Sequence, residues 1–160
     1  KKFIYLRFTP GSYVAAQRDE GTLAAIADAG REDDILTTME YQNTTAAAQK
    51  LMEDLIQVYG DDFDGVISHN DKSIYGVINA INAAQLDPSS KVICSIDGEV
   101  PAMELVKSGQ LTMTVKQDIE DMCDKTMEAI ETYRSGGTPE HNIYINTIAV
   151  DASNVDEYLT

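Results

Sequence analysis

Short runs rich in Val, Ile and aromatic residues alternate along this chain with longer stretches whose apolar residues recur every three or four positions. That alternation leaves few folds open. Strand-like segments at 3–8, 35–40, 63–68, 91–96, 111–115 and 143–150 flank helix-like ones at 12–30, 46–59, 71–85, 101–108 and 118–133. The helical period is plain in Ala47, Leu51, Leu55 and Val58, and in Ile74, Val77, Ile78 and Ile81. Strands separated by helices of ten or more residues require crossover connections and hence a mostly parallel sheet. Right-handed crossovers place helices on both faces, so a doubly wound α/β domain with flavodoxin-like strand order is expected. With 160 residues, 43% of them apolar, the chain can bury a sizeable core without disulfides or metal.

Charge and motifs remove several functions. Twelve basic residues against twenty-seven acidic ones give a net charge of −15, which opposes binding to nucleic acid or an anionic membrane face. No run of eighteen apolar residues occurs, and the opening Lys1-Lys2-Phe3-Ile4-Tyr5 is too quickly polar for a signal peptide, so any export signal is expected outside this chain. Cys94 and Cys123 stand 29 apart without a CxxC, which argues for two small buried apolar residues rather than a zinc or redox site. No nucleophile elbow, phosphate loop, dinucleotide fingerprint or HExxH is present, so no catalytic residue and no cofactor is expected. Asp61-Asp62-Phe63-Asp64-Gly65 resembles a calcium loop only until its twelfth position, which falls on Lys72 or Ser73 where a Glu is needed. No metal site is expected.

In a parallel sheet the carboxyl ends of the strands carry the ligand site. Here they present Thr9 to Ser12, then Tyr41, Gln42 and Asn43, then His69, Asn70 and Asp71, then Asp97, Gly98 and Glu99, then Lys116, Gln117 and Asp118. Amides and carboxylates dominate, groups that exchange hydrogen bonds with hydroxyls rather than cradle phosphates. Ser12, Asp71 and Asp118 each precede a helix and read as N-caps. Asn70, Asp97 and Gln117 sit one step nearer the strand ends, and His69 reads as a hydrogen-bonded edge residue.

Four segments resemble one family. Asp64-Gly65-Val66-Ile67-Ser68-His69-Asn70-Asp71, followed by Gly76 and an Ala-containing helix, is similar to the strand–helix signature of type 1 periplasmic sugar-binding proteins of the ribose- and galactose-binding group. Val92-Ile93-Cys94-Ser95-Ile96-Asp97-Gly98 resembles their next strand, and Lys107-Ser108-Gly109-Gln110-Leu111-Thr112-Met113-Thr114-Val115-Lys116-Gln117 the one after it. Pro10-Gly11-Ser12 with Arg18-Asp19-Glu20-Gly21 resembles the entry to their first helix. The likeness runs over 2–150 in the family's order.

The resemblance implies one lobe of a two-lobe receptor, the C-terminal one. It divides the chain into a sugar-binding lobe at 1–117, a helix at 118–136 that crosses to the N-terminal lobe, and a final strand and tail at 137–160. Carried over by position, the sugar contacts are Arg18, Asn70, Asp97 and Gln117. Asn43 stands where the family often has a stacking aromatic, with Tyr41 two residues earlier. The implied ligand is a monosaccharide, pentose or hexose, and the implied partner the permease of an ABC importer. The implied location is extracytoplasmic, in a periplasm or as a cell-surface lipoprotein. The alternative within the same fold is the effector-binding lobe of a lactose-repressor-type regulator. The stripe of Ile119, Met122, Cys123, Thr126, Met127, Ile130 and Tyr133 predicts a helix face that is buried, folded back, or paired through a dimer or swap over 118–135.

Overall fold

The computed structural model describes residues 1–159. The β-rich runs form strands β1 (Phe3–Phe8), β2 (Ile35–Tyr41), β3 (Gly65–Ser68), β4 (Val92–Asp97), β5 (Met113–Gln117) and β6 (Thr147–Asp151). The helices are α1 (Tyr13–Asp28), α2 (Thr45–Tyr59), α3 (Asp71–Ala83), α4 (Val100–Lys107) and α5 (Ile119–Arg134). All six strands make one sheet in the order β2-β1-β3-β4-β5-β6, parallel except for β6, which runs antiparallel to β5. The fold is therefore α/β and doubly wound, with the expected flavodoxin-like order over its first five strands. The final strand starts at Thr147 rather than 143. The residues before it are tied to α5 instead, with the Lys125 ammonium on the Tyr144 carbonyl and the Asn146 N–H on Asp121.

Strand alternation sorts side chains between the two faces. Ile4, Leu6, Val66, Ile93 and Val150 face α2, α3 and α4 and build the core with Met52, Ile74, Ile81 and Met103. The opposite residues, Ile67, Cys94, Ile96, Met113 and Val115, face α1, which covers part of that side and leaves a trough of about 430 Å³ beside it. Ala15 is the one fully buried residue of α1. Polar contacts hold this helix more than apolar burial does: Tyr5 and Arg7 on β1 both bond Asp19.

The cysteine expectation fails here, and of the outcomes given for the α5 stripe, burial within this chain is not the one observed. Neither cysteine is fully buried: Cys94 is half-buried on the trough side, and Cys123 is exposed on α5. No residue of α5 is buried, and Met127 and Tyr133 are 62% and 74% exposed. An apolar stripe reports that a face is fit for burial, whereas the chain connectivity decides what lies against it. Because β6 returns antiparallel beside β5, the α5 excursion leaves and re-enters at one end of the sheet and never crosses its face.

Candidate functional site

At the carboxyl edge, Ser12 caps α1 by accepting from the Ala15 N–H, and Arg18 follows about two turns later. From there its guanidinium reaches over the strand ends. Nη1 donates to the His69 carbonyl, and Nη2 donates to Asp97 Oδ1 at 2.8 Å. Gln117 Nε2 donates to the same oxygen at 3.0 Å. The pair is mostly shielded, with the Arg18 and Asp97 side chains 15% and 23% exposed. Among the described residues both donors land on Oδ1 and none on Oδ2. That second carboxylate oxygen, beside a guanidinium and an amide, can accept from a hydroxyl through a charge-assisted bond.

Asn70 lies alongside but faces inward. It is 3% exposed. Its Oδ1 accepts from the Tyr41 hydroxyl and the Ser73 N–H, both at 3.0 Å, and its Nδ2 donates to Asn43 Oδ1 at 2.8 Å. Asn70, not Asp71, is thus the N-cap of α3, a shift of one residue that follows from its extended backbone (φ −158°). Asp118 caps α5 as expected. Tyr41 is buried with Asn70, and Asn43 is exposed. The six residues therefore form two hydrogen-bonded groups, Arg18–Asp97–Gln117 and Tyr41–Asn70–Asn43, joined through the backbone of His69 and Asn70.

A polar layer under this edge escaped sequence reasoning. Phe8 N–H donates to His69 Nδ1 at 3.1 Å, which puts the ring proton on Nε2 facing the Tyr5 hydroxyl at 2.7 Å. That hydroxyl donates in turn to Asp19 Oδ1 at 2.6 Å. Burial holds His69 below its ordinary pKa and, helped by the Asp19 bond, pushes Tyr5 well above the tyrosine range. The available signals were Tyr5, a polar tip among the apolar residues Phe3 to Leu6 of β1, and His69, read as a hydrogen-bonded edge residue.

The turn presenting Asp97 is unusual. Asp97 has φ +134° and Gly98 φ +72°. A Cβ at Gly98 would meet the Lys116 Cα at 2.5 Å, so only glycine fits. Beneath it Asp71 is completely buried, its carboxylate accepting from Ser95, Thr114 and the Glu99 N–H. Among the described residues no three His, Cys, Asp or Glu side chains group to hold a metal ion, and no helix is long and apolar enough to cross a membrane.

A periplasmic binding protein domain family matches residues 1–138. A putative rhizopine-binding protein of Rhizobium meliloti is 31% identical over 121 residues, covering 76% of this chain and 38% of that protein. The galactofuranose-binding protein YtfQ of Escherichia coli is 28% identical over 138 residues, covering 84% of this chain and 43% of its own. The chain spans about two fifths of the length of these curated relatives. The crystal structure of a galactofuranose binding protein superposes with a TM-score of 0.85 at 25% identity, over 99% of this chain and 54% of that one. A Caulobacter myo-inositol binding protein bound to myo-inositol shares the fold, with a TM-score of 0.87 at 20% identity over 98% of this chain and 53% of that one.

Proposed function

The chain belongs to the periplasmic binding protein domain family, and on that premise we propose that it is a sugar-binding lobe of an extracytoplasmic solute receptor serving an ABC importer. It binds and does not catalyse. The observation that carries the reading is the convergence of Arg18 and Gln117 on one oxygen of Asp97, at the strand ends where such sheets take ligands. The ligand class is a monosaccharide, pentose or hexose, whose hydroxyls meet the free side of Asp97. Relatives named for rhizopine, galactofuranose and D-xylose support a small polyhydroxylated ligand. In this reading Asn70, Tyr41 and Asn43 set the wall of the site, with Asn43 able to turn its amide toward a sugar.

The same reading assigns 1–117 to the sugar lobe, 118–136 to a helix crossing toward a second lobe, and 137–160 to the returning strand and tail. The bare stripe of α5 is then the face offered to that lobe or, without it, to another copy. A receptor that encloses its sugar contacts it from two sides. The edge here supplies one side and stays open to water. With each charged hydrogen bond worth about 1.5–3 kcal/mol, a total near −4 kcal/mol, a millimolar constant, is expected for this chain alone. Titration of the labelled chain with D-xylose, D-ribose, D-galactose and myo-inositol, followed by amide shifts, tests this. Shifts at Asp97, Gly98 and Gln117 that vanish in Asp97→Ala are expected. No response to any of the four up to tens of millimolar would overturn the proposal, and so would sub-micromolar binding, which a half-site has no means to supply.

A further inference from the structure

Asp71 is fully buried at the first turn of α3 and forms no ion pair among the described residues. A carboxylate in that position survives only if its oxygens are supplied with donors, and an apolar residue of similar size would satisfy packing more cheaply. Its three donors are not scattered. Ser95 lies two residues before Asp97, Glu99 two residues after it, and Thr114 stands beside Ser95 in the register of β4 and β5. The Ser95 and Thr114 hydroxyls reach Oδ1 at 2.5 and 2.8 Å, and the Glu99 N–H reaches Oδ2 at 2.8 Å. Thr114 accepts the Gly98 N–H as well, at 3.2 Å. One carboxylate therefore fastens both ends of the turn whose middle holds Asp97 at φ +134°, a conformation that L residues rarely adopt.

We propose that Asp71 is a positioning residue of the ligand site, fixing the turn of Asp97, Gly98 and Glu99 so that the Asp97 carboxylate meets Arg18 and Gln117 with one oxygen turned outward. This rests on Asp97 as a ligand contact. Backbone that is strained and then clamped from below does not relax when a ligand arrives, so the carboxylate is already aimed before binding. Hydrogen bonds within the fold suffice to explain the buried charge, but not why they come from Ser95 and Glu99 on either side of Asp97 and from Thr114, which also holds the Gly98 N–H.

Asp71→Asn tests the proposal. The variant keeps the shape and one acceptor for the hydroxyls, yet sets an amide N–H2 against the Glu99 N–H, or surrenders the hydroxyls if it flips. Hydrogen exchange of the Glu99 amide should accelerate at least tenfold while Ile78 and Ile81 in α3 keep their rates. The dissociation constant for whichever of D-xylose, D-ribose, D-galactose or myo-inositol the parent binds should rise at least tenfold. Ile81→Val, a loss of core volume in the same helix, should leave both readouts at parental values. If Asp71→Asn does not fold, Thr114→Val removes one donor and the Gly98 acceptor together and should move both readouts the same way. Parental Glu99 exchange in both folded Asp71→Asn and folded Thr114→Val overturns the proposal, as does parental affinity with a loosened turn. If no sugar binds the parent, the sugar reading falls, and Glu99 exchange alone still decides whether Asp71 holds the turn.

Discussion

Two glycines inside helices, given the same methyl group, should change stability in opposite directions. Alanine is favoured over glycine in a helix interior by about 0.8–1 kcal/mol, from backbone entropy and propensity together. Gly21 in α1 has nothing within 4 Å of an added Cβ, so Gly21→Ala should realise most of that gain. Gly76 in α3 lies against α2, where the added carbon would stand 2.3 Å from the Thr45 carbonyl oxygen and 2.6 Å from the Gln49 nitrogen. Both obstacles are backbone, so no side chain can swing aside. Restoring van der Waals separation, about 3.5 Å or more, takes roughly 1 Å of movement between the helices. Overpacking of this kind costs about 1–3 kcal/mol, and rigid obstacles put it at the upper end. After the propensity gain, Gly76→Ala should be destabilised by about 1–2 kcal/mol. Urea unfolding followed by circular dichroism and tyrosine fluorescence measures both. With a slope of about 1–3 kcal/mol per molar, the two midpoints should differ by roughly 0.6–3 M. A Gly76→Ala midpoint at or above the parent's would refute the close approach of α2 and α3.

Lowering the pH from 7 should weaken the fold through His69. Burial holds its native pKa below the ordinary 6.5, so the unfolded chain takes up the proton first, and stability is lost as pH falls through that window; His69→Gln should flatten this part of a Tm-against-pH curve. Asp71, raised by burial, carries the opposite sign, and its contribution declines as pH rises above the ordinary carboxylate value. On α5, Met127→Gln and Ile130→Gln should each shift stability by under about 0.5 kcal/mol, because neither side chain is buried. Iodoacetamide at pH 8 should label exposed Cys123 well before Cys94, whose thiol burial pushes up to about 11, and mass spectrometry of peptides reads the order.

Much of the scaffold was legible because the strands are short runs rich in Val, Ile and aromatic residues, and α2 and α3 carry their apolar stripes at helical spacing. The carboxyl ends of the strands could be located to within a residue or two, which is enough to gather Arg18, Asp97 and Gln117 at one edge. Finer placement depends on backbone angles that periodicity does not encode, and so the α3 cap moved from Asp71 to Asn70. The inward turn of Asp71 was invisible for a different reason: two of its partners, Ser95 and Thr114, lie 24 and 43 residues away. What covers the α5 stripe was not legible, because an apolar face and its cover are separate facts and the chain's own periodicity holds only the first.

The antiparallel last strand has a mechanical side. The chain leaves β5 at Gln117 and comes back into β6 at Thr147, directly across the ladder from it. The mouth between them is pinned by the Asp118 N–H on the Asn146 carbonyl and the Asn146 N–H on Asp121. Everything beyond, α5 included, hangs from this narrow neck. No side chain of α5 is buried, so what fixes the helix to the sheet is this neck, whose first strand ends in the glutamine that donates to Asp97.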